Sequence, residues 1–127
     1  MSEEFAGKKV LVVATFGSEN PERCPGPFVF AAEAARGGAE AGIVFVLQAP
    51  LILKQGVAEN LRPKEGARTI REFIDDALEA GVNFYVCDTA LDLCSMTPEN
   101  LIEEAEDLVG PSFLVKEGLK SDLVLFF

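Results

Sequence analysis

Three thiols and no imidazole define the chemistry open to this chain: it holds Cys24, Cys87 and Cys94 but not one histidine. A Ser-His-Asp triad, a Cys-His pair and a His-bearing zinc site are therefore excluded within the chain. Thiolate attack on a sulfur atom is not, because it needs a reachable nucleophile and no acid–base histidine. Cys87 is the best placed of the three. It ends the apolar run Val82-Asn83-Phe84-Tyr85-Val86-Cys87, which reads as a core strand. Asp88-Thr89-Ala90-Leu91-Asp92-Leu93 follows with helical composition and Thr89 as its cap. A thiol at such a junction lies near backbone N–H groups without partners, which favour an anion. The Asp88 carboxylate opposes a second negative charge beside it. Taken alone, a cysteine in this setting is more often an inert packed thiol.

Cys24 lies in a stretch, residues 17–27, with three prolines and two glycines, which reads as a long irregular loop leaving the first strand. Beside Arg23 it is expected to be exposed, and reads equally as an accessory, resolving thiol or as an accident of the loop. Arg23 is suited to assisting a thiolate or to binding an anionic sulfur donor. Cys94, between Leu93 and Ser95, reads as structural. If residues 91–94 are helical, it lies about one to two turns beyond Cys87. That is too far for a disulfide without rearrangement, since bridged Cα atoms sit roughly 4.4–6.8 Å apart. Three dispersed cysteines without CxxC spacing make a poor metal site, and none is expected.

The charge balance narrows the partners. With 21 acidic and 11 basic residues the net charge is −10, a field that repels nucleic acid and anionic lipid. The basic cluster Arg62, Lys64, Arg68 and Arg71 is interrupted by Glu65 and Glu72 and reads as a solvated helix face. Glu103, Glu104, Glu106 and Asp107 form a solvated acidic face or a dock for a basic partner. No apolar stretch approaches the ~20 residues that span a membrane. Met1-Ser2-Glu3-Glu4-Phe5 lacks the pattern of a signal peptide, so reduced thiols and a cytoplasmic location are expected.

The elements that must position Cys87 are legible as alternating runs. Residues 10–16 and 43–47 are continuously apolar, the mark of strands covered on both faces. An alanine-rich helix is expected over residues 28–41, with Gly42 as its stop. Residues 51–54 suggest one short apolar turn. Ile70, Phe73, Ile74, Ala77 and Leu78 set a helix over residues 67–80 that Gly81 ends. Thr97-Pro98 reads as a cap with proline at the first helical position. Residues 101–108 fit either a helix or, at Leu108-Val109, a stub of strand. A short helix over residues 111–120 and a strand over residues 122–127 complete the chain. The pattern predicts one domain, 1–127, with the fold class of a three-layer α/β/α sandwich around a mostly parallel sheet of about five strands. Neither GxGxxG nor GxxxxGK[ST] occurs, so no cofactor is expected.

In order and spacing these pieces resemble the DsrE/DsrF-like family along nearly the whole chain. The resemblance runs through Lys9-Val10-Leu11-Val12-Val13, Pro21-Glu22-Arg23, Gly56-Val57-Ala58-Glu59-Asn60 and, most tellingly, Tyr85-Val86-Cys87-Asp88-Thr89-Ala90-Leu91. It ends with Lys120-Ser121-Asp122-Leu123-Val124-Leu125-Phe126. The resemblance implies that Cys87 accepts sulfane sulfur as a persulfide and passes it to a partner thiol. Sulfur donor and acceptor proteins, and a homotrimer or hexamer, follow from it. Two positions depart from the family's pattern: Ala90 stands where some relatives have a second cysteine, and Cys94 where many have glycine. A non-catalytic assembly subunit and a thiol redox sensor pairing Cys87 with Cys24 or Cys94 are the alternatives.

Overall fold

The computed structural model describes residues 3–127. Its five strands are β1 (Lys9–Ala14), β2 (Glu40–Phe45), β3 (Asn83–Cys87), β4 (Leu108–Val109) and β5 (Leu123–Phe126). They form one sheet in the order β4-β3-β2-β1-β5, with every neighbouring pair parallel. Helices α1 (Pro25–Arg36), α2 (Ile70–Glu79), α3 (Asp88–Leu93) and α4 (Pro111–Lys120) connect them. This is the α/β architecture the sequence predicts.

Connection handedness decides which face each helix covers. From β1 the chain steps one way through β2, β3 and β4, then returns to the far side of β1 as β5. Right-handed crossovers in one direction place α1, α2 and the β3–β4 connection on one face, and the return places α4 on the other. The first face is the main core. Val12, Ile43, Phe45, Phe84 and Val86 of the sheet pack there against Phe28 and Ala31 of α1 and Ile70 and Ile74 of α2. Phe28, Phe45 and Phe84 form a ring triangle with centroids 5.3–5.8 Å apart.

Strand alternation puts Leu11, Val13, Val44, Tyr85 and Cys87 on the opposite face. Leu11, Val13 and Val44 are buried there. Only α4 covers this side: Phe113 packs on Tyr85 at 4.7 Å, and the Glu117 carboxylate meets Lys9 Nζ at 2.5 Å. No α4 residue is buried, and Val115 and Leu119 are exposed. The third layer is a single helix.

Several boundaries differ from expectation. The alanine-rich helix ends at Arg36, not residue 41, because Gly37 and the positive-φ Gly38 turn the chain so that Glu40 already pairs with Lys9 in the sheet. Gly42 is therefore a strand residue, placed where a side chain would crowd Tyr85. The second helix is shorter than residues 67–80, since Thr69 closes a capping box with Glu72 ahead of Ile70. The residues 101–108 resolve as a 3-10 turn, Glu103–Ala105, followed by strand β4. The stretch 17–27 is more ordered than a loop, with a 3-10 turn at Pro21–Arg23 and the start of α1 at Pro25.

Candidate functional site

Strand β3 runs directly into α3 with no linker, and Cys87 is at once the last strand residue and the helix N-cap. Thr89 is thus not the cap expected from sequence but lies within the first turn of α3. Its hydroxyl has another partner: Thr89 Oγ1 is 3.2 Å from Cys87 Sγ. Cys87 keeps 6% of its surface, beside the exposed Asp88 and Thr89. The first N–H groups of α3 have no intrahelical partners and adjoin the sulfur's backbone.

The three thiols differ in what their sulfur faces. Cys24 is buried at 1% exposure, not exposed as its loop position suggested, because the Pro21–Arg23 turn folds it under α1. Its thiol donates to the carbonyls of Gly17 at 3.3 Å and Asn20 at 3.5 Å. Burial first, then the carboxylates of Glu19 and Glu22, push its pKa up to about 12. Cys94 ends α3 and donates to the Leu47 carbonyl at 3.2 Å. Burial and then Glu19 raise its pKa as well. A carbonyl only accepts, so both contacts exist only while sulfur keeps its proton. Cys87 alone faces a hydroxyl, which can donate to a sulfur anion.

The sequence candidates divide into two places along the carboxyl edge of the sheet. Cys87, Asp88 and Cys94 belong to the end of β3 and helix α3. Cys24 and Arg23 belong to the end of β1, and β2 lies between. Arg23 stacks over the Phe16 ring at 4.8 Å and lines a cavity of ≈ 350 Å³ with Phe16, Glu22, Gly26 and Phe127. Sequence reasoning missed Thr89 as a sulfur partner and Leu47 as an acceptor for Cys94. The first was visible as a hydroxyl two residues after a cysteine. The second depends on a tertiary contact between β2's exit and α3. Among the described residues no group of three or more acidic, Cys or His side chains is arranged to hold a metal ion. No helix among them is long and apolar enough to cross a membrane.

An all-parallel sheet with a thiol where an inner strand hands over to a helix defines a small α/β protein with that thiol on the edge where open α/β sheets bind ligands. The chain belongs to the DsrE/DsrF/DrsH-like family, whose sequence model matches residues 48–126, Cys87 included. The family resemblance read from the sequence thus holds. No curated protein matches the chain. Among solved structures it is similar to the ychN protein of E. coli, with a TM-score of 0.76 at 19% identity, covering 94% of this chain and 99% of that one. It is also similar to MTH1491 of Methanobacterium thermoautotrophicum, a protein of unknown function, with a TM-score of 0.62 at 12% identity and coverage of 94% and 98%. At these identities the likeness is one of fold.

Proposed function

We propose that the chain is a sulfur carrier that holds sulfane sulfur as a persulfide on Cys87. The observation that supports this reading most is the contrast among the thiols. Two are bonded to carbonyls that keep them protonated, and Cys87 faces a hydroxyl donor at a helix start. In the loading step the Cys87 thiolate attacks the outer sulfur of a donor persulfide. The new S–S bond forms as the donor's S–S bond breaks, and the donor thiolate leaves and takes up a proton. In the delivery step an acceptor thiolate attacks the outer sulfur of Cys87–S–SH, and Cys87 returns as a thiolate. Neither step needs an external oxidant or an acid–base histidine. Asp88, exposed beside the sulfur, favours a protein donor that brings its own positive surface. Donor and acceptor are proteins in this reading, and the chain works as a homotrimer or hexamer.

The test is transfer to a small acceptor thiol, following the persulfide delivered after loading with inorganic polysulfide. The full chain is expected to deliver sulfur, Cys24→Ser and Cys94→Ser to deliver it as well, and Cys87→Ser to deliver none. Equal delivery by Cys87→Ser overturns the reading. The small exposure of Cys87 supports a second reading, a non-catalytic assembly subunit of the same fold. There, Cys87→Ala leaves all partner binding intact and the chain never acquires sulfur. The redox-sensor alternative loses Cys24 as resolving thiol, since that sulfur is buried and held protonated.

A further inference from the structure

The cavity at the end of β1 lies apart from Cys87 along the carboxyl edge of the sheet. It sits where β1 is flanked by β2 on one side and β5 on the other. Here the chain's direction across the sheet reverses: α1 leaves β1 on one face, and α4 precedes β5 on the other. The crevice outside the strand ends at such a reversal is where open α/β sheets bind ligands. Its volume, ≈ 350 Å³, is within the range of small-molecule sites.

Its walls are preformed. The Phe127 carbonyl accepts from Thr15 N–H at 2.9 Å and Thr15 Oγ1 at 2.6 Å, and the Phe127 ring stacks on Phe30 with centroids 5.2 Å apart. Gly26 leaves room for that ring, since a Cβ there would lie 2.8 Å from it. Phe16 forms the other aromatic wall and carries the Arg23 guanidinium on its face. The polar side chains of the lining are one cation and one anion, Arg23 and Glu22, adjacent on the same turn, while the Phe127 oxygen is taken up by Thr15. Among the described residues neither forms a salt bridge within the chain.

Charge selects the ligand. A plain anion would meet Arg23 but also Glu22 and the repulsion of a chain of net charge −10. A plain cation would meet Glu22 but also Arg23. A zwitterion satisfies both and feels little of the overall field. We propose that this cavity binds a zwitterionic small molecule with an apolar body, of the class of an α-amino acid with a thioether or aromatic side chain. Its carboxylate accepts from the Arg23 guanidinium, its ammonium donates to Glu22, and its side chain lies between Phe16 and Phe127.

Amide NMR of the labelled full-length chain tests this with four probes. L-Methionine carries both charges and an apolar body. N-acetyl-L-methionine lacks the ammonium, L-methioninamide lacks the carboxylate, and glycine lacks the apolar body. L-Methionine is expected to shift the Phe16, Arg23 and Gly26 amides saturably, with each other probe binding roughly tenfold or more weakly, the loss that follows from removing a bond to a charged group. Arg23→Gln and Glu22→Gln, both at exposed positions, are each expected to weaken L-methionine by a similar factor. Absence of saturable shifts at millimolar L-methionine, or equal binding of all four probes, overturns the proposal. Loss of sulfur loading with L-methionine binding intact strikes the carrier reading and leaves this one standing.

Discussion

Thr89 Oγ1 lies 3.2 Å from the Cys87 sulfur across the corner where β3 becomes α3. If that hydroxyl steadies negative charge on sulfur, its loss slows every step in which Cys87 attacks. Thr89→Val is expected to lower the rate of Cys87 alkylation at neutral pH by roughly 5–30-fold, the kinetic equivalent of about 1–2 kcal/mol. Thr89→Ser is expected to restore the rate. Thr89 is exposed, so the unfolding midpoint should hardly move. Equal rates in Thr89→Val and the parent chain would remove Thr89 from the account.

Cys24 gives a prediction in pH. Its folded pKa, about 12, lies above the ordinary thiol value, so the folded state favours the protonated form. The unfolded chain loses that proton first as pH rises. The stability the buried thiol contributes is whole below the ordinary value of 9.0 and is lost progressively toward about 12. A shift of that size corresponds to roughly 4 kcal/mol as an upper limit. Urea unfolding at several alkaline pH values should show Cys24→Ala less stable than the parent near neutrality, with the gap narrowing as pH climbs. A gap independent of pH would contradict the assignment.

Lys9 and Glu117 fasten α4 to the sheet at 2.5 Å, with Lys9 also 3.5 Å from Glu40. The Glu117 bond is the main cause that raises Lys9, and the Lys9 bond is the main cause that lowers Glu117. The pair's contribution is therefore lost as pH falls through the acidic range and again as it rises past the ordinary lysine value. Glu117→Gln is expected to cost about 1 kcal/mol near neutrality, as a partly exposed pair should. Denaturant titration at neutral and at acidic pH checks this, with the difference vanishing at the lower pH.

Two glycines at the carboxyl edge should differ in what they tolerate. A Cβ on Gly17 would lie 2.2 Å from the Gln48 carbonyl oxygen, a backbone atom that cannot step aside without moving the β2 exit. A Cβ on Gly26 first meets the Phe127 ring, at 2.8 Å, a side chain that can turn aside. Gly17→Ala is expected to lower stability by about 2 kcal/mol or more, and Gly26→Ala by about 1 kcal/mol while displacing the ring and shrinking the cavity. Thermal unfolding of the two variants should rank them in that order.

The cores of β1, β2, β3 and β5 were legible as apolar runs, which a parallel sheet covered on both sides requires, whereas the two-residue β4 was too short to separate from a helix end. Strand order was not legible, since nothing local in Leu123-Val124-Leu125-Phe126 says that it pairs with β1 rather than β4. Cys87 stood out from its junction alone. Its difference from the other thiols did not, because Gly17, Asn20 and Leu47 reach Cys24 and Cys94 through folding of the chain. Cys24 shows the reason most clearly: proline-rich surroundings suggested an exposed loop, yet Pro21 starts a turn and Pro25 a helix, and the thiol between them is packed. Arg71 likewise read as part of a solvated helix face, whereas it bonds both Asp75 at 2.9 Å and the distant Glu104.

Intact mass of the Cys24→Ala/Cys94→Ala double variant after exposure to inorganic polysulfide isolates Cys87 from the other thiols. The chain should gain a single sulfur atom, lose it to dithiothreitol, and show no gain when Cys87 is also replaced by serine. A parent chain that takes up sulfur while the double variant takes up none would place the reactive thiol elsewhere and contradict the central claim.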